Sequence, residues 1–120
     1  MTHAPHPHPV AVVTGAARGI GLASAQWFLQ RGYRVALLDN DAAALQATAS
    51  TLAERTDVLC LPCDVSQPPQ VAEAVNRIVS AFGRVDALVN NAGVAVFKPI
   101  GQTTFEEWRH VMGTNLDGVF

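Results

Sequence analysis

The stretch "TGAARGIG" at residues 14–21 decides how this chain folds. It follows directly on the apolar run "VAVV" at 10–13 and precedes a stretch with helical spacing. Glycine at Gly15 permits a tight turn, while Gly19 and Gly21 let backbone approach a ligand and let a helix pack against a strand. The free N–H groups at the start of that helix can bind phosphate. The segment therefore predicts a diphosphate site, although sharp turns also use glycine for steric reasons alone.

The same alternation of a short apolar run and a longer helical stretch continues along the chain. Further apolar runs lie at 35–38, 58–61 and 85–89. A helix is predicted over 71–82, with an apolar face made of Val71, Val75, Ile78, Val79 and Phe82. Continuously apolar strands are typical of a parallel sheet covered on both faces. The pattern predicts an α/β fold, a Rossmann-like doubly wound parallel sheet of about four strands with right-handed crossover helices.

Length and composition predict one folded domain. The chain has 120 residues, of which 49% are hydrophobic and 15% charged, which is typical of a globular protein. We assign residues 10–120 to a dinucleotide-binding domain and residues 1–9, rich in histidine and proline, to a flexible tail. The tail histidines His3, His6 and His8 lack the fixed geometry of a metal site, so no metal is predicted.

The charge balance and hydropathy exclude several classes of partner. The net charge of −2 gives no electrostatic reason to expect nucleic acid or an anionic membrane surface. No apolar run approaches the length of a membrane span, and no secretion signal begins the chain. These features predict a soluble, cytoplasmic protein.

The end of the second predicted strand, "LLDN", carries Asp39. A carboxylate there can accept hydrogen bonds from both hydroxyls of an adenosine ribose and would repel a 2′-phosphate, which favours NAD over NADP. Two alternatives stay open. Asp39, Asn40 or Asp41 could cap the next helix, and Arg18 beside the glycine turn could instead attract a 2′-phosphate.

Cys60 and Cys63 form a C-x-x-C pair at the end of the third predicted strand. A thiol redox pair depends on a helix N-terminus that stabilises the thiolate. These two cysteines span the end of a strand, with side chains expected to point in opposite directions. We predict that both are packing residues.

Two more strand ends carry "DV" at 64–65 and "NNAG" at 90–93. Together with Thr14 and the glycine spacing, these motifs resemble the short-chain dehydrogenase/reductase family, in the order and at the strand ends that the family uses. The resemblance covers the chain from Val10 onward and is to the first half of the family's sequence. It implies an oxidoreductase that transfers hydride between a nicotinamide cofactor, NAD here, and a small carbonyl or alcohol substrate.

The resemblance also implies roles for individual residues. Arg18 and Ile20 would lie against the dinucleotide, and Asp39 on its adenosine ribose. The Asp64 side chain and the Val65 backbone would lie at the adenine. The remaining residues of this cofactor site are Thr14, Gly15, Gly19 and Gly21 in the glycine turn, and Asn90, Ala92 and Gly93 along the cofactor's inner edge.

A last helix follows the "NNAG" segment. Thr104 and Glu107 predict a capping box at its start. Its apolar stripe, predicted to face inward, is Phe105, Trp108, Met112, Asn115 and Val119. A buried amide needs a partner, and the residues alone favour an Asn115 satisfied by neighbouring backbone. The resemblance implies instead that Asn115 belongs to a catalytic tetrad and helps to hold the water of a proton relay.

The other members of such a tetrad, a serine and a tyrosine followed four residues later by a lysine, are absent from their expected places. The one tyrosine is Tyr33, with Leu37 four residues later, and the one lysine is Lys98. We therefore expect a truncated chain that ends within the last helix, binds the cofactor and is inactive alone. The resemblance implies that the full-length protein is a homodimer or homotetramer.

Two other functions stay open. One is a free-standing nucleotide-binding module that lacks catalysis. The other is a methyltransferase that uses S-adenosylmethionine, because such enzymes also place glycines after the first strand and an acid after the second. The "NNAG" segment and the wider glycine spacing count against the methyltransferase.

Overall fold

Parallel strands alternate with helices along the chain. The computed structural model describes residues 8–52 and 55–120. Its strands are β1 (Val10–Thr14), β2 (Arg34–Asp39), β3 (Val58–Pro62) and β4 (Ala87–Val89). Its α-helices are α1 (Gly19–Leu29), α2 (Ala42–Thr51), α3 (Pro68–Phe82) and α4 (Phe105–Asn115), with short 3-10 helices at Ile100–Gln102 and Asp117–Val119. All strand pairs are parallel, which confirms the predicted α/β fold.

Helices cover both faces of the two central strands, β1 and β2. Side chains alternate across each strand, so β1 and β2 supply apolar residues to both faces. One face packs on α3 through Val10, Val12, Ala36, Leu38, Ala74, Ile78 and Phe82. The other packs on α1 and α2 through Ala11, Val13, Val35, Leu37, Ala25, Leu29 and Leu45. Helices on both faces explain why these strands are apolar at successive positions.

The strand order, β3-β2-β1-β4, contains one reversal of direction. From β1 the chain moves outward through β2 to β3, and α3 then carries it back across the sheet to β4 on the far side of β1. A crevice opens where the connections after β1 and β4 diverge. Ligands of doubly wound sheets bind in that crevice, outside the carboxyl ends of the strands.

The turn after β1 leaves no room for a side chain at Gly21. A Cβ there would lie 2.1 Å from the Gly15 carbonyl oxygen and 2.6 Å from Asn91 Nδ2. Gly15 itself has a φ of 62°, in the left-handed region that favours glycine. Gly19 also has a left-handed φ, of 60°, so backbone conformation requires two of the glycines of "TGAARGIG" and close packing requires the third.

The start of β1 is tied to the approach to β4 by Asp86. Its Oδ2 accepts a hydrogen bond of 2.8 Å from the Val10 N–H, and its own N–H donates to the Val10 carbonyl at 2.8 Å. Arg84 Nε donates to the same carboxylate at 2.8 Å. The Arg84 guanidinium and the Val10 N–H hold the pKa of Asp86 below its ordinary value.

The predicted apolar face of α3 is partly wrong. Ile78 and Phe82 are buried as expected, but Val75 and Val79 are about half exposed, and Ala74 is buried instead. The buried side chains point at the sheet, whereas Val75 lies to one side, above β4. It lines an apolar groove with Val85, Leu88 and residues 118–120.

The predicted inward stripe of α4 is also wrong. Phe105 is 75% exposed and Trp108 51% exposed, whereas the buried residue of this helix is Thr114. The helix instead approaches the turn between β3 and α3 through Gly113, where an added Cβ would lie 3.6 Å from the Ser66 side chain. The predicted capping box of Thr104 and Glu107 is confirmed.

The beginning of the described chain is held against the start of β2. The Pro9 carbonyl accepts a hydrogen bond from the Arg34 N–H at 2.9 Å, and His8 Nδ1 lies 3.2 Å from the Gly32 carbonyl oxygen. The rest of the predicted tail, including His3 and His6, lies outside the described residues.

The two cysteines lie on opposite faces of the sheet. Cys60 packs among the residues below α1 and α2, whereas Cys63 is buried on the face of α3. Both are free, and burial raises the pKa of each thiol. The prediction that they are packing residues is confirmed.

Substituting Gly21→Ala tests the packing of the turn. The new methyl group would collide with the Gly15 carbonyl, so we expect the free energy of unfolding to fall by about 3 kcal/mol or more. Urea denaturation measures it. Gly101→Ala is the matched control, because nothing lies within 4 Å of an added Cβ there. Equal stability of the two variants would contradict the packing argument.

Lowering the pH tests the Asp86 contacts. The folded protein depresses the pKa of Asp86. The ionised carboxylate therefore adds its full contribution to the free energy of unfolding above the pKa of the unfolded chain, about 4, and loses it as the pH falls through the lower pKa of the folded protein. We expect the Asp86→Asn variant to be less stable at neutral pH and to lose less of its remaining stability on acidification. Denaturant titrations over that pH range measure both curves, and parallel curves would contradict this role.

Candidate functional site

The carboxyl ends of the four strands open into one cleft of about 390 Å³. Segments from all four strand ends and one residue of α4 form its walls. The lining residues are Gly15, Arg18, Asp39, Asn40, Asp41, Cys63, Asp64, Val65, Asn91, Ala92, Gly93, Val94 and Thr114. Distant parts of the sequence therefore meet at the edge of the sheet where doubly wound folds bind ligands.

Most of the residues predicted to bind a cofactor line this cleft. Those that do are Gly15, Arg18, Asp39, Asp64, Val65, Ala92 and Gly93. Gly19 and Ile20 begin α1 at the rim, and Ile20 is exposed. Thr14 and Gly21 lie beneath the turn, where both are buried.

Asn90 is one predicted site residue that the structure places elsewhere. It lines the apolar groove beside α3, on the other side of the sheet from Asn91, which lines the cleft. Successive residues at the end of a strand point to opposite faces, so only one of the two asparagines can face the cleft. Sequence reasoning missed Asn91, although this alternation was available as a signal.

The floor of the cleft is a hydrogen-bonded joint between β1 and the segment after β4. Thr14 Oγ1 accepts from the Asn91 N–H at 3.0 Å and from the Ala92 N–H at 2.9 Å. Asn91 Nδ2 donates to the Thr14 carbonyl at 3.2 Å and to the Gly15 carbonyl at 3.1 Å. Thr14 and Asn91 therefore hold the two walls at a fixed separation.

The N-terminus of α1 lies at the rim of the cleft without a side-chain cap. Its N-cap residue, Arg18, has extended backbone and makes no capping hydrogen bond. By contrast, Asp41 caps α2 and Thr104 caps α4. An uncapped helix start presents backbone N–H groups and a partial positive charge, which fits an anionic group such as a phosphate.

Asp39 stands at the end of β2, beside the turn that leads into α1. Its Oδ2 accepts a hydrogen bond from the Ala17 N–H at 3.1 Å, and its Oδ1 accepts one from the Asp41 N–H at 2.9 Å. The cap of α2 is Asp41, whose Oδ1 accepts from the Ala44 N–H at 3.0 Å. Asp39 is therefore not the helix cap, and each of its oxygens retains acceptor capacity toward the cleft.

Asp64 lies in the part of the cleft wall formed by the segment between β3 and α3. Its Oδ1 accepts from the Ser66 N–H at 2.9 Å and from the Ser66 hydroxyl at 2.6 Å, and its own N–H donates to Gln70 Oε1 at 2.8 Å. These contacts fix the turn between β3 and α3, so the orientation of Asp64 and Val65 in the cleft is set by local hydrogen bonds.

Asn115 is exposed, which corrects the prediction of a buried amide. Its Oδ1 accepts from the Val94 N–H at 2.8 Å, and its Nδ2 donates to the Val94 carbonyl at 2.9 Å. Neighbouring backbone thus satisfies the amide, as the residues alone favoured. The amide is exposed because α4 approaches the cleft through Thr114, one residue earlier.

The family of the chain follows from a comparison with known proteins. A family model described as short chain dehydrogenase matches residues 9–120. The chain belongs to the short-chain dehydrogenase/reductase family. This is a family of oxidoreductases, so the methyltransferase alternative is wrong.

Individual relatives agree with this family. The chain is 38% identical over 112 residues to D-threitol dehydrogenase of Mycolicibacterium smegmatis, in a match that covers 92% of this chain and 43% of that protein. It is also 38% identical over 111 residues to the NADP-dependent (R)-specific alcohol dehydrogenase of Lentilactobacillus kefiri, covering 92% and 44% respectively.

A solved structure shows the same fold. A short-chain dehydrogenase/reductase of Burkholderia phymatum in complex with NAD superimposes with a TM-score of 0.88 and 37% identity. The match covers 93% of this chain and 40% of the other. The chain therefore spans less than half the length of the relatives it matches.

Neither a metal-binding cluster nor a membrane-spanning helix occurs in the described residues. Within 8–52 and 55–120, no group of three or more His, Cys, Asp or Glu side chains could hold a metal ion. In the same part of the chain, no helix is both long and apolar enough to cross a membrane.

Substituting Thr14→Val tests the joint beneath the cleft. Valine keeps the shape but removes the acceptor that the half-buried Asn91 and Ala92 N–H groups share. The Asn91 N–H keeps the Val89 carbonyl at 3.1 Å, so mainly the Ala92 N–H loses its partner and the fold should be destabilised by about 1–2 kcal/mol. Urea denaturation measures the change. Thr103→Val is the matched control, because the Thr103 hydroxyl makes an exposed hydrogen bond of 3.2 Å to Pro99. A Thr14→Val variant as stable as this control would show that the joint contributes nothing.

Proposed function

We propose that this cleft binds NAD, and that the chain is the cofactor-binding part of an oxidoreductase that transfers hydride between nicotinamide and a carbonyl or alcohol. One observation carries the proposal. Asp39 lines the cleft directly beside the uncapped start of α1, where its Oδ2 accepts from the Ala17 N–H at 3.1 Å, so an acceptor for ribose hydroxyls and a site for phosphate lie next to each other in one crevice.

The residues present fit a dinucleotide. At Gly19 nothing lies within 4 Å of an added Cβ, so the backbone at the start of α1 is open to a ligand. We assign the diphosphate to this helix start, the adenosine ribose to Asp39 and the adenine to the wall of Asp64 and Val65. Ala92 and Gly93 would line the inner edge. When bound, the nicotinamide ring supplies or accepts the hydride.

The preference for NAD rests on charge. A carboxylate at Asp39 accepts hydrogen bonds from the 2′- and 3′-hydroxyls, whereas the two negative charges of a 2′-phosphate would be repelled by it. The Burkholderia relative was solved with NAD, and the Lentilactobacillus relative is named as NADP-dependent. The fold therefore accepts either cofactor, and local residues such as Asp39 select between them.

Asn115 acts in this proposal as a positioning residue. Its amide clamps both backbone groups of Val94, next to Gly93 in the cleft wall. The clamp fixes the end of α4 against the segment that follows β4. We infer that in the whole protein this fixed corner helps to hold the water of a proton relay.

Neither the tyrosine nor the lysine of this chain lies beside the cleft. Tyr33, its single tyrosine, packs against Phe28 at the opposite end of β2, with ring centroids 4.8 Å apart. Lys98, its single lysine, pairs with Glu107 at 2.9 Å. Because hydride transfer to a carbonyl needs a proton from a suitable acid, we expect these 120 residues to bind cofactor without turnover.

The exposed apolar side chains of α4 support a further element of the proposal. Phe105 and Trp108 are exposed on this helix, as is Ile100 just before it, and contiguous exposed apolar surface marks interaction sites. We propose that the whole protein uses this helix in a homodimer or homotetramer.

Titration with NADH and NADPH tests the cofactor site. We expect the unmodified chain to bind NADH more tightly than NADPH, and Asp39→Asn to weaken NADH by about tenfold while NADPH changes less. Asparagine keeps one oxygen for the Ala17 or Asp41 N–H, so the fold should persist. Nucleotide fluorescence measures the affinities.

The matched control is Asp57→Asn, which removes a carboxylate that pairs with Arg55 at 2.8 Å, away from the cleft. It should leave both affinities unchanged. If the unmodified chain binds neither nucleotide, the proposed function is wrong. If it binds NADH but Asp39→Asn leaves the ratio of the two affinities unchanged, Asp39 does not select the cofactor.

A further inference from the structure

Arg18 and Asp41 form an ion pair across the adenosine end of the cleft. Arg18 Nη2 donates to Asp41 Oδ2, and both residues line the cleft. Among the described lining residues, Arg18 is the single cation, whereas Asp39, Asp41 and Asp64 are anionic. The charge that could attract a 2′-phosphate is therefore already paired with a carboxylate of the protein.

Asp41 is well placed to hold Arg18. Its Oδ1 caps α2 through the Ala44 N–H at 3.0 Å, and its own N–H donates to Asp39 Oδ1 at 2.9 Å. These two contacts leave Oδ2 for Arg18. The Ala44 N–H and the Arg18 guanidinium hold the pKa of Asp41 below its ordinary value, so the carboxylate stays ionised at neutral pH.

The position of the Arg18 side chain depends on its contact with Asp41, whereas Asp41 is itself fixed by hydrogen bonds to Ala44 and Asp39. It is 68% exposed, and its guanidinium is held at the cleft by the carboxylate of Asp41. An exposed arginine that loses such a partner is free to turn toward another anion. The position of this cation therefore depends on Asp41.

We propose that Asp41 is a specificity-determining residue that favours NAD by pairing with Arg18 and so withholding it from a 2′-phosphate. This inference rests on the proposed function and adds a second residue that determines the preference for NAD. Asp39 opposes the 2′-phosphate directly, whereas Asp41 acts through Arg18. In the sequence, Arg18 left open a preference for NADP, because a cation beside the glycine turn could attract a 2′-phosphate. The ion pair argues against that preference, because Asp41, the cap of α2, neutralises the charge of Arg18.

The variant Asp41→Asn separates charge from capping. Asparagine caps helices about as well as aspartate, so α2 should remain intact while the ion pair is lost. We expect the affinity for NADPH, relative to NADH, to rise by about threefold to tenfold. Adenosine 2′,5′-bisphosphate compared with AMP should show the same change, because these probes occupy only the adenosine end. Isothermal titration calorimetry measures all four affinities.

The same substitution in an Arg18→Gln background shows whether the effect passes through Arg18. If it does, Asp41→Asn should change the ratio much less in that background, which is the coupling that a double-mutant cycle measures. An equal rise in both backgrounds would mean that Asp41 repels the phosphate directly, and would overturn the proposal. Asp57→Asn, on a remote ion pair, should leave the ratio unchanged in either background.

The outcomes also separate this inference from the proposed function. If the unmodified chain binds none of the four nucleotides, the proposed function fails. If it binds NADH and the Asp41→Asn variant keeps the original ratio while remaining folded by urea denaturation, only the role of Asp41 fails.

Discussion

The carbonyl oxygen of Gly15 is the point on which the cleft depends. It lies where a side chain on Gly21 would have to be, so α1 can cross β1 only if residue 21 has no Cβ. The same oxygen accepts a hydrogen bond of 3.1 Å from Asn91 Nδ2. One atom therefore sets both the position of the helix that offers its N-terminus to a ligand and the position of the opposite wall. The charges of Arg18, Asp39 and Asp41 can be compared as one electrostatic site because this contact fixes the backbone beneath them.

Much of the architecture could be predicted from the sequence, because strands and turns are specified mainly by neighbouring residues. The apolar runs at 10–13, 35–38 and 58–61 became strands, and the glycine turn lies at the carboxyl end of β1. Helix faces were harder to predict. Periodicity gives the direction of an apolar stripe but not what lies opposite it. The sequence therefore predicts an interior position for Val75 and for the stripe of α4, where the structure does not place them. Burial depends on neighbours far along the chain, and a pattern within one helix carries no information about them.

Some residues of the candidate site could likewise be predicted from the sequence, and others could not. Gly15, Asp39 and Asp64 could be placed at the cleft because each lies at the end of a strand or within two residues of it. The choice between Asn90 and Asn91, and the identity of the helix cap near Asp39, depended on side-chain direction and on single hydrogen bonds. The partner of Arg18 could not be predicted, because Asp41 lies 23 residues away and reaches it only when β1 and β2 are adjacent. Long-range pairing of polar side chains leaves little trace in a single sequence.

The strand order also has a consequence for how the molecule assembles. The contacts among Ala17, Asp39 and Asp41, with the pairing of β1 and β2, need only the chain from Val10 to Asp41, whereas the bond from Asn91 to Gly15 closes a loop of 76 residues. Contacts between nearby residues generally form before those that close long loops. On the ribosome, the rim of the cleft formed by Arg18, Asp39 and Asp41 can therefore be complete before β4 has been synthesised. The charged rim of the cleft therefore forms early and the wall after β4 forms late, so the side of β1 that pairs with β4 is the last part of the sheet to be covered.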